Sequence, residues 1–157
     1  MREQIRLAQA GDCDSILELL RAIAALHREG RPDLFREGAS KYSKEELLEL
    51  FQNPNTPVFV AEADGRVAGY AFCQVIEHKN DGALNDMTTL YLDDLCVDEG
   101  MRGQGLGKKL FEHVKEYAVK QGCYSVDLNV WAFNTSARSF YERLGMQEKK
   151  RCMELIL

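Results

Sequence analysis

Along this chain the spacing of apolar residues switches repeatedly between two and three to four, which predicts strands and helices in alternation. Ile5 and Leu7 share one side of a short first strand, Gln4 to Ala8. Ile16, Leu19, Leu20, Ile23 and Leu26 then fall at helical spacing, with Asp12 or Asp14 placed to cap the start and Gly30 to end it. Pro32 makes His27 to Lys41 irregular. Ser43 and Glu46 have the spacing of a capping box for a second helix carrying Leu47, Leu48, Leu50 and Phe51, closed by Asn53-Pro54. Asp64-Gly65 between Val58–Ala63 and Arg66–Glu77 predicts a hairpin, and Met87 to Val97 makes a third antiparallel strand after a polar tip. A helix with Leu110, Phe111, Val114, Tyr117 and Ala118 on one face ends at Gly122. Ser125 to Trp131 alternates as a further strand, and Ala137, Phe140, Tyr141 and Leu144 mark a last helix opened by Asn134 and Thr135. Met146 to Leu157 is expected to add a final strand or two. The order predicts one mixed α+β domain over residues 1–157, without repeat or linker.

The stretch Asp94 to Lys109 organises the rest. It leaves an apolar strand, passes Gly103, Gly105 and Gly107 at every second position, and enters a helix. Such a turn can aim several N–H groups at one point. The first four amides of the helix lack intrahelical partners, and its dipole is positive at that end. Arg102, Lys108 and Lys109 crowd a helix start, where cations are disfavoured by roughly 0.3–1 kcal/mol each. An anion would satisfy all of these groups. A nucleotide P-loop is excluded, since no Gly-Lys-Ser/Thr occurs, and the glycine spacing is one residue short of a dinucleotide fingerprint.

Size and composition narrow the function. At 157 residues, with 45% hydrophobic and 29% charged positions, the chain reads as an ordinary globular domain. A net charge of −5 argues against a general nucleic-acid partner. Five scattered cysteines without a Cys-x-x-Cys pair suggest neither a disulfide framework nor a zinc site, and His27, His78 and His113 have no metal spacing. No signal core or membrane-length apolar run occurs, so a cytoplasmic protein without membrane partner is expected.

The remaining pattern, Arg102-x-x-Gly105-x-Gly107, resembles the acyl-CoA pyrophosphate turn of the GNAT superfamily of N-acetyltransferases. Two further stretches are similar in the same order. Tyr91-Leu-Asp93-Asp94-Leu-Cys-Val97 looks like the acidic strand of spermidine/spermine acetyltransferases, in which the first acid is a glutamate that takes the acceptor's proton. Asp93 stands there, one methylene shorter, which favours relay through water; a merely structural carboxylate is the alternative for Asp93 and the favoured one for Asp94. Adjacent strand residues are expected on opposite faces, so at least one of these acids must enter the protein or a cleft. Asn134-Thr-Ser136-Ala-Arg-Ser-Phe140-Tyr141 through Gly145-Met146 is similar to the family's last motif, with Met146 where an aromatic is usual.

The resemblance implies a twisted, mostly antiparallel sheet flanked by helices, with the fourth and fifth strands splayed to admit acetyl-CoA. It implies that the main chain of Arg102, Gly103, Gln104, Gly105, Leu106, Gly107 and Lys108 cradles the diphosphate. Leu95, Cys96 and Val97 would pair with the pantetheine arm, Asn134 would hydrogen-bond it and Ser136 would lie beside it. Tyr141 would protonate the departing thiolate; helical spacing alone would make it a core aromatic. Trp131 and Phe133 line the acceptor pocket or the core, and the long connection before the hairpin forms a wall of that pocket. Cys96 lacks a partner base and reads as a small buried hydrophobe rather than a nucleophile. The implied reaction is acetyl transfer from acetyl-CoA to a primary amine by direct attack, with no metal. A small polyamine-like or amino-acid-like acceptor ranks first. A protein N-terminus or lysine, or a non-catalytic acyl-CoA-binding regulatory domain, remains the alternative. A homodimer is compatible with the family, although no stripe in the sequence requires it.

Overall fold

A computed structural model describes residues 2–157. Its elements follow one another as β1 (Glu3–Leu7), α1 (Cys13–Gly30), α2 (Lys44–Gln52), β2 (Val58–Ala63), β3 (Arg66–His78), β4 (Met87–Val97), α3 (Leu106–Lys120), β5 (Ser125–Asp127) and α4 (Thr135–Arg143). The five strands lie side by side in chain order. β1 to β4 pair antiparallel, and β5 joins β4 in parallel. A parallel neighbour requires a crossover, which α3 supplies.

The sheet is covered on both faces, and β2 shows why. Val58 and Val60 enter a cluster with Ile16, Leu20 and Leu47 from α1 and α2, while Phe59, Ala61 and Ala63 enter another with Leu110, Phe111 and Val114 from α3. The period-two alternation of a strand therefore feeds two cores. Each fully buried Leu or Val contributes about 1.5–3 kcal/mol. At the hairpin, Asp64 (φ 49°) and Gly65 (φ 78°) both have positive φ, the geometry a tight two-residue turn demands. Ser43 and Glu46 form both bonds of the capping box.

Three local expectations differ from what is found. Asp12 precedes α1 without capping it; its carboxylate accepts from the Arg6 guanidinium at 2.8 and 3.0 Å and from the Gln9 amide at 2.8 Å. The fifth strand stops at Asp127 rather than Trp131, because its pairing with β4 ends there. Residues 146–157 form no strand. They are tied down by side-chain ion pairs, Lys149 to Asp127 and Arg31 to Glu154, without a backbone ladder.

Candidate active site

β4 and β5 share three residue pairs, the last being Tyr91 with Asp127, after which β4 continues alone to Val97. The two strands thus open into a cleft with one unpaired edge. The pleat decides which backbone groups face it. The Asp98 amide donates to the Ala68 carbonyl at 2.7 Å, on the β3 side. Backbone direction alternates along a strand, so Cys96 also faces β3, and Leu95 and Val97 present their groups to the cleft. The close approach of the Cys96 carbonyl to Gly69, where a Cβ would sit 2.8 Å from that oxygen, agrees. Of the three residues expected on the pantetheine, Cys96 therefore turns its main chain away. Burial pushes its thiol up to about 12, as suits a packed side chain rather than a nucleophile.

Past Val97 a short 3-10 turn, Glu99–Met101, leads into the glycine turn. Gly103 (φ 80°) and Gly105 (φ 82°) are left-handed, a conformation that strains other residues. Gly107 serves differently: a Cβ there would lie 3.2 Å from the Phe140 ring, so this glycine lets α3 and α4 meet. No side chain caps α3 and its first turn holds no acidic residue. The amides of residues 106–108 thus point out of the helix end, beside exposed Arg102, Gln104 and Lys108. Two of the expected cations are partly committed elsewhere. Lys109 pairs with Glu3, and Arg102 donates from Nε to the Val97 carbonyl at 3.2 Å.

The carboxylates are arranged by a bulge. Phe72 faces Asp94 and Cys73 faces Leu92, so Asp93 is an extra residue without a partner on β3. A bulge re-aims the side chains around it. The two acids, expected on opposite faces, consequently both meet tyrosines of the α1–α2 cluster. Asp94 accepts from the Tyr70 hydroxyl at 2.7 Å, and Asp93 from the Tyr42 hydroxyl at 3.1 Å. Tyr42 and Tyr70 flank Phe72, with ring centroids 5.3 and 4.8 Å from it. Burial pushes Asp94 up to about 6, against the Tyr70 hydrogen bond and the Lys41 charge, which pull it down. The Lys41 ammonium lies 2.7 Å from Asp93 Oδ2. That pair is partly open, with side-chain exposures of 46% and 24%, and is worth about 0–1 kcal/mol. Lys41, Tyr42 and Tyr70 carry no signal in the sequence pattern that would place them at the acids. The first two stand in or beside the irregular segment, of which the pattern predicts no more than a wall.

From the other side comes α4. Asn134 is its N-cap and accepts from the Ala137 amide at 3.1 Å, so its oxygen is engaged and its amide nitrogen remains for a ligand. Ser136 is exposed in the first turn. Tyr141 packs edge-on against Phe140 at 5.1 Å, and its phenol is raised by burial first and then by Asp94 and Cys96, which keeps it protonated. Trp131 and Phe133 do not enter the main core. They stack at 6.1 Å and join Phe35 and His27 in an aromatic cluster against the end of α1. Its fit is close, since a Cβ on Gly30 would come within 2.3 Å of the Phe133 ring.

A split between parallel strands and a glycine turn with uncapped helix amides beside it together suit an extended, diphosphate-bearing co-substrate. The acetyltransferase (GNAT) family matches residues 20–146, most of the chain. The chain belongs to this family. It is an acetyl-CoA-dependent N-acetyltransferase. The thialysine N-epsilon-acetyltransferase of Sus scrofa is 30% identical over 154 residues, covering 92% of this chain and 84% of that one. The glucosamine 6-phosphate N-acetyltransferase of Trypanosoma brucei brucei is 32% identical over 102 residues, covering 65% of each chain. Among solved structures, a mutant of the BH1408 protein of Bacillus halodurans superposes with a TM-score of 0.95 at 28% identity, covering 98% of this chain and 99% of that one.

The residues present fit acetyl-CoA. The uncapped amides of residues 106–108 would hold the diphosphate, and the cleft-facing backbone of Leu95 and Val97 would pair with an extended amide-bearing arm. No helix among the described residues is long and apolar enough to cross a membrane, and no group of three metal-ligating side chains occurs among them.

Proposed function

We propose that this acetyltransferase modifies the primary amine of a small cationic molecule, polyamine-like or amino-acid-like, by direct attack in a ternary complex. The observation that carries this reading is Asp93 holding a primary ammonium, that of Lys41, at 2.7 Å beside the open edge of β4. A carboxylate with that habit would bind an acceptor ammonium and receive its proton, through water where the short side chain does not reach. Acetyl-CoA supplies the activated acyl group. Tyr141, kept protonated by its surroundings, donates to the leaving sulfur. Asp94, more buried and bonded to Tyr70, fixes the strand and adds negative potential without touching the acceptor. The raised Cys96 leaves no activated nucleophile on this strand, which favours direct attack over an acyl-enzyme. The thialysine enzyme named above supports an aminoalkyl acceptor.

Thiol release from acetyl-CoA across a panel of diamines, amino acids and peptides tests the reading. Small amines are expected to be turned over, and Asp93→Asn to slow them by about 10²-fold. A response confined to peptides would instead favour a protein N-terminus or lysine as acceptor, and CoA binding without turnover a regulatory domain.

We also infer a homodimer. Met153, Leu155 and Ile156 are 84%, 84% and 72% exposed at the end of an extended tail, and β5 is the outer strand of the sheet. A second copy would cover both.

A further inference from the structure

Lys41 stands in an irregular segment between α1 and α2, close after Gly38, whose φ of 67° marks a local turn. Its ammonium reaches 52 residues along the chain to Asp93, crossing the Tyr42 ring at 5.7 Å from the centroid. Surface lysines usually point into water, because their side chains lose entropy when held. Here the held position is the carboxylate at which the proposed reading places an acceptor ammonium. Lys41 is also close enough to Asp94 for its charge to be felt there, and Asp94 in turn acts on the Tyr141 phenol. One primary amine of the chain is thus set among the groups that would serve a substrate amine.

We propose that Lys41 is a self-acetylation site, acting as the chain's own acceptor from acetyl-CoA when no free amine displaces it from Asp93. This rests on the reading of Asp93 and Tyr141 given above. Asp93 takes a proton from the Lys41 ammonium, Nζ forms a C–N bond to the acetyl carbon, and the C–S bond breaks with its electron pair left on sulfur. Of the three ammonium protons, one stays on the new amide, one replaces the proton that Tyr141 gives to the thiolate, and one leaves Asp93 for solvent. The products are Nε-acetyl-Lys41 and CoA thiol. Acetylation removes the lysine charge and, with it, the ion pair on Asp93. The acceptor position is then cleared, so the modified enzyme binds a cationic amine more tightly than the unmodified one. A weak exposed pair of about 0–1 kcal/mol implies a gain of up to about fivefold.

The test is peptide mapping by mass spectrometry of the full chain after incubation with acetyl-CoA alone, alongside calorimetric titration of a short diamine into the CoA-bound protein. Lys41 is expected to gain one acetyl group ahead of the other lysines, at a rate per molecule independent of protein concentration. Saturating diamine should suppress it, and Asp93→Asn should slow it about 10²-fold. Lys41→Met should bind the diamine more tightly. Turnover of free amines with Lys41 unmodified, or modified no faster than surface lysines, would overturn the proposal and leave the acceptor reading standing. No acetylation of either would overturn both. Selective Lys41 acetylation without turnover of any free amine would support self-acetylation and remove the small-amine reading.

Discussion

At the scale of single residues, the sequence shows which side chains matter but not where two of them point. Asp93 and Asp94 are visible as acids in an apolar strand, yet the bulge that turns both toward Tyr42 and Tyr70 has no signature in a string of alternating residues. Tyr141 is legible because its motif is local to one helix, and burial, then Asp94 and Cys96, raise its phenol and so keep a proton on it. Tyr141→Phe should lower kcat by about 10²-fold with CoA affinity nearly unchanged; an unaltered kcat across the pH range would remove this residue from the mechanism. Asp94 makes a prediction about stability. Its folded-state value, about 6, lies above the ordinary 3.8, so between those values the folded protein binds more protons than the unfolded one. Stability is therefore lost as pH rises through that window, by up to about 3 kcal/mol. Asp94→Asn removes the buried charge, so urea unfolding should show the variant gaining on the parent from about pH 4 to 7. A pH-independent difference between the two would contradict the burial argument.

Elements are more legible than contacts, because helix and strand periods are written locally. The capping box, the Asp64-Gly65 hairpin and the start of α3 all lie where spacing places them. What spacing cannot separate is the work of three similar glycines. Gly103 and Gly105 are required by positive φ, and Gly107 by the approach of Phe140. A β-branched residue at Gly105 forces a left-handed conformation that costs roughly 1–3 kcal/mol, and the turn would relax by moving its amides. Gly105→Val should accordingly weaken CoA binding tenfold or more, about 1.4 kcal/mol, measured by calorimetry. Gly107→Ala asks only that the Phe140 ring shift by a few tenths of an ångström, and should cost less affinity. Equal losses at the two positions would show that the cradle does not depend on the left-handed turn.

At the scale of the whole molecule, the tail is where local pattern and tertiary structure part. A strand or two is expected after α4, but residues 146–157 leave the outer edge of β5 unpaired; Met146 packs against the core, and beyond it side-chain ion pairs hold the tail. Exposed pairs of that kind contribute little, while burying Met153, Leu155 and Ile156 would contribute about 1.5–3 kcal/mol apiece. Most of the stabilisation open to the tail therefore comes from whatever covers its apolar residues. A partner copy would do so if its β5 took up this tail, since the outer edge of β5 is unpaired and unpaired edges invite a strand. Glu154 pairs with Arg31, which follows directly on Gly30, where Phe133 packs within the Phe35–Trp131–Phe133 cluster, so tail placement is coupled to that cluster, which would line the acceptor pocket in the proposed reading. Light scattering at micromolar concentration should give twice the chain mass. Paired substitutions Leu155→Asp and Ile156→Asp should reduce that to one chain and raise KM for the amine more than KM for acetyl-CoA. A parent protein that is monomeric under those conditions would leave the tail without a partner and refute the dimer, while a dimer indifferent to the paired substitutions would move its interface elsewhere.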